Sequence, residues 1–246
     1  MKYENERWCS YVSGVRTYFR TSVVPHKLHI TELTLHYLER PPREASLAKP
    51  PLIVLLHGRA ANASTIFSIE GLLDPRFHVI AIRGAYQSEK GGYEWFHPDS
   101  AVQSDEIADA ERFEESEQLL TADIQEHLTR VAIDPENLFL WGFSQGAAMA
   151  LILGLRGNVK PKGVVPMAGF IPSPVKKWGH WDAHAEYLFV HGTNDEVLPP
   201  QTSLDAKSFL ESKGIRAEYH KYSGRHKMSL DSIAYVNDWI KRLANL

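Results

Sequence analysis

The pentapeptide GFSQG at positions 142–146 places Ser144 where a serine can become a nucleophile. It follows the apolar stretch LFLW and precedes the small-residue stretch AAMALIL, a pattern that predicts a strand, a tight turn and a helix. Glycines must flank such a turn, because a β-carbon there would clash with the adjoining strand or helix. The free N–H groups at the start of the helix favour developing negative charge. We therefore predict that Ser144 is a nucleophile; the alternative is a structural strand-to-helix turn.

A serine hydroxyl reacts only when a base takes its proton and an acid orients that base. For the acid, the apolar run 187–190 leads into a turn that carries Asp195. Three other aspartates are alternatives, of which the first precedes this strand and the other two fall in predicted helices: Asp182, Asp205 and Asp231. A triad acid is not expected inside a helix, so the sequence favours Asp195.

For the base, His226 lies on the loop after the strand AEYHKY and before the last predicted helix. The order Ser144, Asp195, His226 is the chain order of triads that are built on nucleophile elbows. His220 is the competing histidine, but it lies inside that strand, where its side chain would point along one face of the sheet. The sequence therefore favours His226 as the general base.

The tetrahedral intermediate of acyl transfer needs two N–H donors for its oxyanion. We predict that the first is the backbone N–H of Gln145, the residue after the nucleophile. We predict that the second is the backbone N–H of Arg59, because the strand LIVLL leads into the small-residue loop HGRAA at 57–61. For this loop the alternative is an ordinary turn at the end of a strand.

The rest of the chain predicts the scaffold that positions these loops. Short apolar runs recur at 52–56, 77–82, 138–141, 163–167, 187–190 and 217–222. Most are separated by helical patterns, at 107–131, 145–156, 201–212 and 230–243. Strands that alternate with helices predict an α/β fold with a mostly parallel sheet covered by helices on both faces. Residues 15–38 alternate as an antiparallel hairpin at a sheet edge does.

Taken in order, the segments HGRAAN, GGYEWF, GFSQG, HGTNDEVLP and GRH resemble the phospholipase/carboxylesterase branch of the α/β-hydrolases. The resemblance runs from about position 51 to the C-terminus. It implies an α/β-hydrolase fold and a Ser–His–Asp mechanism without a cofactor. The triad that it implies is Ser144, Asp195 and His226, with Arg59 and Gln145 as the oxyanion donors.

Three features bear on the substrate. The GGYEWF segment matches a family loop near the acyl site, which implies that Trp95 and Phe96 line the pocket; the alternative is simple core filling. Family members commonly carry leucine where this chain has Arg59, and the arginine places a charge near the pocket mouth. For residues 172–184, a short lid and ordinary packing are equally compatible with the sequence.

Composition and charge limit the partners. The chain has 246 residues, a net charge of −3 and a pI near 6.5, so no basic field is present to gather nucleic acid. No apolar run reaches the roughly 18 residues of a membrane span. No HExxH or similar spacing collects the histidines, which predicts no metal. The single cysteine, Cys9, and an N-terminus without a signal-like apolar stretch predict a cytoplasmic protein.

We expect one domain over residues 1–246, with an edge hairpin at 1–40 and a catalytic core at 51–246. The expected activity is hydrolysis of short- to medium-chain carboxylic esters, with no cofactor and a small-molecule ester or thioester as partner. Acyl-thioesters and lysophospholipids are alternative substrates of the same site. A catalytically silent binding protein with this fold is the alternative of a different class. A homodimer is compatible with the sequence.

Overall fold

A computed structural model describes residues 8–12, 15–19, 35–44, 49–97, 110–177 and 179–246. Its strands are β1 (Trp8–Val12), β2 (Val15–Phe19), β3 (Tyr37–Arg40), β4 (Leu52–Leu56), β5 (His78–Ile82), β6 (Tyr86–Gln87), β7 (Tyr93–Glu94), β8 (Leu138–Phe143), β9 (Gly163–Met167), β10 (Glu186–Gly192) and β11 (Ala217–Tyr222). Its helices are α1 (Ala63–Phe67), α2 (Ala110–Arg130), α3 (Gln145–Arg156), α4 (Ser173–Lys176), α5 (Gln201–Ser212) and α6 (Leu230–Ala244).

Among the described residues, nine strands form one sheet in the order β1-β2-β3-β5-β4-β8-β9-β10-β11. Every pair from β5 to β11 in this order is parallel, whereas β1, β2 and β3 join the edge antiparallel. Helices α2, α3 and α5 cover one face of the sheet, and α1 and α6 cover the other. This architecture confirms the predicted fold class.

Burial on both faces explains why the central strands are continuous apolar runs. Every residue of β4 is buried. Leu52, Val54 and Leu56 pack under the layer of α2, α3 and α5, while Ile53 and Leu55 pack under α1 and α6. A strand between two helical layers has no solvent-facing side, so its sequence does not alternate. The parallel direction then brings the loops that follow β4, β8, β10 and β11 to one edge of the sheet.

The N-terminal edge differs in part from the predicted hairpin over 15–38. Strands β2 and β3 are antiparallel, with Thr17 opposite Leu38, and β3 continues to Arg40. The stretch 20–34 between them lies outside the described residues. Strand β1 pairs with β2 and extends the edge by one strand that the sequence analysis did not predict.

The four longer helices follow the sequence patterns closely, whereas the short helices α1 and α4 were not predicted. Helices α3 and α5 have the predicted bounds, and α2 ends at Arg130, one residue before the end of its predicted pattern. The start of its pattern at Ile107 lies outside the described residues. Across the ranges described above, none of the helices combines the length and the apolar character that crossing a membrane requires.

Candidate active site

Ser144 lies at the turn between β8 and α3 with a strained backbone, φ 55° and ψ −117°. A β-carbon on Gly142 would lie 2.0 Å from the carbonyl oxygen of Gly146, and one on Gly146 would lie 2.2 Å from the carbonyl oxygen of Leu56. Both distances are far inside van der Waals contact, so the turn can close only with glycine at both positions. The Ser144 N–H donates to the carbonyl of Met167, 2.9 Å away, which ties the turn to the next strand.

His226 faces the serine from the loop between β11 and α6. Its Nε2 lies 3.0 Å from the Ser144 Oγ, and its ring packs against Phe143 with 4.9 Å between ring centroids. The side chain is 16% exposed, so a ligand can reach it while the ring stays confined. This contact spans 82 positions of the chain and exists only because parallel strands end at the same edge.

Asp195 follows β10 and completes a continuous chain of hydrogen bonds. Its Oδ2 accepts from His226 Nδ1 at 2.6 Å, and its Oδ1 accepts the N–H groups of Val197 and Leu198 at 2.9 Å each. Burial raises the pKa of Asp195, but the Leu198 N–H, the His226 ring and the Val197 N–H outweigh it, and the net shift is downward. The carboxylate is therefore held ionised, which fixes the His226 proton on Nδ1 and leaves Nε2 free to accept the serine proton.

The competing residues lie in other surroundings. His220 stacks on Tyr235 with 3.6 Å between ring centroids. Asp182 accepts the N–H of His184, Asp205 accepts from the Gln201 side chain, and Asp231 is exposed in the first turn of α6. The geometry brings Ser144, His226 and Asp195 together and places these alternatives elsewhere.

The loop after β4 approaches the nucleophile closely. A β-carbon on Gly58 would lie 3.3 Å from the Ser144 Cβ. His57 is buried, its Nε2 accepts the Gly84 N–H at 2.8 Å, and its Nδ1 therefore donates to the Gly58 carbonyl at 2.7 Å. That carbonyl belongs to the same planar peptide as the Arg59 N–H, which must point the opposite way. His57 thus sets the direction of the predicted second oxyanion donor.

Burial keeps His57 uncharged. The pKa of this histidine is lowered to about 4. Burial is the main cause, the Gly58 carbonyl opposes the shift, and the neighbouring Arg83 charge adds to it. A neutral ring is what the two hydrogen bonds require, because Nε2 must present a lone pair to Gly84.

Gln145 carries the other predicted donor at the start of α3, and its side chain organises the neighbouring loop. Its Oε1 accepts the Trp95 N–H at 2.8 Å and its Nε2 donates to the Phe96 carbonyl at 2.7 Å. The Trp95 indole N–H donates to the His57 carbonyl at 2.8 Å. Trp95 is 0% exposed and Phe96 is 2% exposed, so both pack inward behind the site. Their contact with a substrate stays a prediction.

A second buried histidine, His191, touches the acid of the predicted triad. Its Nε2 lies 3.0 Å from the Leu198 carbonyl and 3.2 Å from the Asp195 Oδ2, while its Nδ1 lies 2.7 Å from the Ser203 Oγ. Neither His57 nor His191 was assigned a role from the sequence. Each precedes a glycine at the end of a strand, and that shared His-Gly pattern is the signal that could have marked them.

The described part of 172–184 packs onto the body of the protein. The Trp181 indole N–H donates to the Val175 carbonyl at 3.3 Å, and the ring meets Phe209 edge-on at 5.8 Å. Trp178 lies outside the described residues. A lid role for this segment stays a prediction.

Comparison of the sequence with known proteins identifies a family model and relatives that match parts of the chain. A family model described as phospholipase/carboxylesterase matches residues 43–244. Acyl-protein thioesterase 1 of Kluyveromyces lactis is 31% identical over 159 residues, which is 62% of this chain and 65% of that protein. Carboxylesterase SOBER1 of Arabidopsis thaliana is 30% identical over 113 residues, 44% of this chain and 50% of that protein. The alignments thus span about half to two thirds of these relatives.

Solved structures agree in fold. The crystal structure of esterase PE8 has a TM-score of 0.74 and 26% identity, over 87% of this chain and 100% of that chain. The carboxylesterase of Bacillus cereus has a TM-score of 0.72 and 19% identity, over 85% of this chain and 94% of that chain. At this identity the second likeness concerns the fold alone.

Proposed function

Because this chain belongs to the phospholipase/carboxylesterase family, we propose that it is a serine hydrolase that cleaves carboxylic esters of short to medium acyl length. The proposal depends on one observation, the relay from Ser144 Oγ to His226 Nε2 at 3.0 Å and from His226 Nδ1 to Asp195 Oδ2 at 2.6 Å. A nucleophile, a base within hydrogen-bond reach and an acid that orients the base are the parts that acyl transfer needs.

In the first half-reaction, Ser144 Oγ attacks the ester carbonyl carbon while His226 Nε2 takes the hydroxyl proton. The C–O bond to the alcohol then breaks, and His226 gives its proton to the leaving oxygen. In the second half-reaction, water attacks the acyl carbon, His226 takes a proton from the water, and the Ser144 oxygen leaves and regains a proton. Asp195 stays ionised and stabilises the transient imidazolium.

The negative charge that develops on the carbonyl oxygen is stabilised, in this proposal, by the N–H groups of Gln145 and Arg59. The first belongs to the residue after the nucleophile, at the start of α3, where the helix dipole favours negative charge. The second is oriented by the His57 hydrogen bond to the Gly58 carbonyl. Trp95 and Phe96 hold the Gln145 side chain, and lining of the acyl pocket by these two residues is part of the proposal.

A thioesterase on the same site is the second candidate. Of the two relatives described above, one is named as a carboxylesterase and the other as an acyl-protein thioesterase. Both reactions share the acyl-enzyme and differ only in whether an alcohol or a thiol leaves. We further propose a cytoplasmic location, on the composition with its single cysteine, and a small-molecule substrate.

The test compares wild-type protein with Ser144→Ala, His226→Ala and Asp195→Asn on aryl esters from acetate to palmitate and on the matching thioesters. We expect kcat to fall by roughly 10³ or more for the first two variants and somewhat less for the third. We also expect kcat/KM to peak at short to medium esters. Wild-type turnover by Ser144→Ala or His226→Ala contradicts the mechanism, and a uniform preference for thioesters selects the second candidate.

A further inference from the structure

A cluster of two histidines and a glutamate lies at the opposite end of the sheet from Ser144. Glu39 is on β3, His78 begins β5, and His127 is in the last turn of α2. Each is 3% exposed. His78 is level with Leu138, at the start of β8, because both are in register with Leu52. At about 3.3 Å per residue along the strands, the cluster lies roughly 20 Å from the serine turn.

We propose that this cluster binds one divalent transition-metal ion, with Zn²⁺ as the preferred ion, and that the ion acts as a structural clip. Two imidazoles and a carboxylate are the donor set that zinc and its neighbours select. Each ligand comes from a different element, so one ion joins the antiparallel strand β3 to the parallel strand β5 and to helix α2.

The spacing of the donor atoms fits a single ion. The Glu39 Oε1 lies 2.8 Å from His78 Nε2 and 3.7 Å from His127 Nε2, and the two Nε2 atoms are 3.5 Å apart. Ligands at roughly 2.1 Å from a tetrahedral ion are about 3.4 Å from one another. The three separations of 2.8, 3.5 and 3.7 Å are close to the edges of one face of such a tetrahedron, and the shortest is at present a hydrogen bond between His78 and Glu39.

The carboxylate also has an unused oxygen. The Glu39 Oε2 is buried and makes no hydrogen bond within the described part of the chain. A buried carboxylate oxygen without a partner costs free energy, because it has lost its water and gained nothing in return. Binding of an ion by both oxygens of Glu39, or relaxation of the second oxygen toward a water on the ion, removes this cost.

Arg130 competes with the metal in the metal-free protein. Its Nη2 donates to His127 Nδ1 at 3.0 Å, which places the ring proton of His127 on Nε2, the proposed ligand atom. Metal binding requires that proton to move to Nδ1 and Arg130 to release the ring. Arg130 is exposed at the end of α2, where its Nη2 also donates to the Tyr37 hydroxyl at 2.6 Å. Removal of this side chain should therefore tighten binding.

The experiment uses the full chain without a tag, stripped with a chelator, and titrates it with Zn²⁺ and with Co²⁺ as a visible reporter. We expect about one ion per chain, Co²⁺ absorption typical of mixed nitrogen and oxygen ligands, and a rise in the unfolding midpoint with Zn²⁺. Glu39→Gln and His127→Gln should each weaken binding at least ~10-fold, and Arg130→Gln should strengthen it several-fold.

The matched control is His220→Gln, which removes a histidine from β11 and should leave the affinity unchanged. The proposal is overturned by a wild-type protein that neither binds Co²⁺ nor gains stability with Zn²⁺, a result that does not depend on any variant folding. It is equally overturned if His127→Gln binds as tightly as the wild type, if His220→Gln loses as much affinity, or if Arg130→Gln binds no tighter. Circular dichroism of each variant shows that it is folded.

Discussion

His57 acts on the proposed reaction only through a peptide group. Its ring holds the Gly58 carbonyl on one side and the Gly84 N–H on the other, and so fixes the direction in which the Arg59 N–H points. It is a positioning residue that is distinct from the triad. A donor that is aimed before the substrate arrives stabilises the transition state more than the ground state, because no reorganisation is needed when charge develops.

At the residue scale, we expect His57→Leu to lower kcat by roughly 10-fold to 100-fold and to change KM little, because the oxyanion donor loses its orientation while the acyl pocket stays. Steady-state kinetics on one aryl ester separate the two parameters. His184→Leu, at an exposed histidine, is the control and should match the wild type. An unchanged kcat in a folded His57→Leu protein would show that the Arg59 N–H does not depend on His57.

At the scale of elements, the turn between β8 and α3 is the tightest packing constraint in the site. The Gly146 α-carbon lies against the backbone at the end of β4, so any side chain there must push the start of α3 away from that strand. The backbone atoms of Leu56 and His57 that it would meet cannot yield as a flexible side chain would.

We therefore expect Gly146→Ala to lower the free energy of unfolding by about 3 kcal/mol or more, or to prevent folding. Denaturant unfolding followed by circular dichroism measures this. Gly71→Ala is the control, because a β-carbon at that exposed glycine meets no atom within 4 Å. Equal stability of the two variants would mean that the turn is looser than described.

The sequence predicts elements well where local signals agree. The bounds of β9, β11, α3 and α5 follow from the runs and the helical spacing in the sequence. Strand β9 is buried throughout, as its apolar run indicates, whereas β11 is an edge strand in which only Tyr222 is buried. The family resemblance drawn from five short segments is confirmed by the match to residues 43–244. Strand β1 was not predicted, because its five residues, WCSYV, are too few to show the period that distinguishes a strand from a loop.

Contacts between distant positions were beyond the sequence where no motif marks the residues. Glu39, His78 and His127 share no local spacing, and the absence of a metal motif led to the prediction of no metal. Only the antiparallel pairing of β3 with β5 brings Glu39 beside His78. In the same way, the inward packing of Trp95 follows from its hydrogen bonds to His57 and Gln145, which no motif reveals.

At the scale of the whole molecule, buried neutral histidines make stability depend on pH. The pKa of His57 falls from 6.5 to about 4 on folding, so between these values the unfolded chain binds a proton that the folded protein does not. Above pH 6.5 His57 therefore does not reduce the free energy of unfolding, and as the pH falls from 6.5 toward 4 that free energy decreases. Asp123 has the opposite effect on the pH dependence of stability, because burial raises its pKa to about 7. The free energy of unfolding of the whole protein therefore contains contributions that fall and contributions that rise as the pH is lowered.

Comparison of the wild type with His57→Gln isolates the contribution of this histidine to the pH dependence of stability. We expect the free energy of unfolding of His57→Gln to fall less steeply than that of the wild type between pH 6.5 and 5, by up to about 1.4 kcal/mol per pH unit. Glutamine can keep both hydrogen bonds, and the contribution of Asp123 cancels. Denaturant titrations at several pH values measure the two slopes. Parallel curves would show that His57 is not held neutral by burial.

The proposed function is tested most directly by reaction with a fluorophosphonate probe, followed by intact mass and peptide mapping. We expect one adduct per chain, located on Ser144, absent in Ser144→Ala and formed far more slowly in His226→Ala, because the hydroxyl then lacks its base. A folded wild-type protein that forms no adduct, or one whose adduct lies on another residue, would contradict the account.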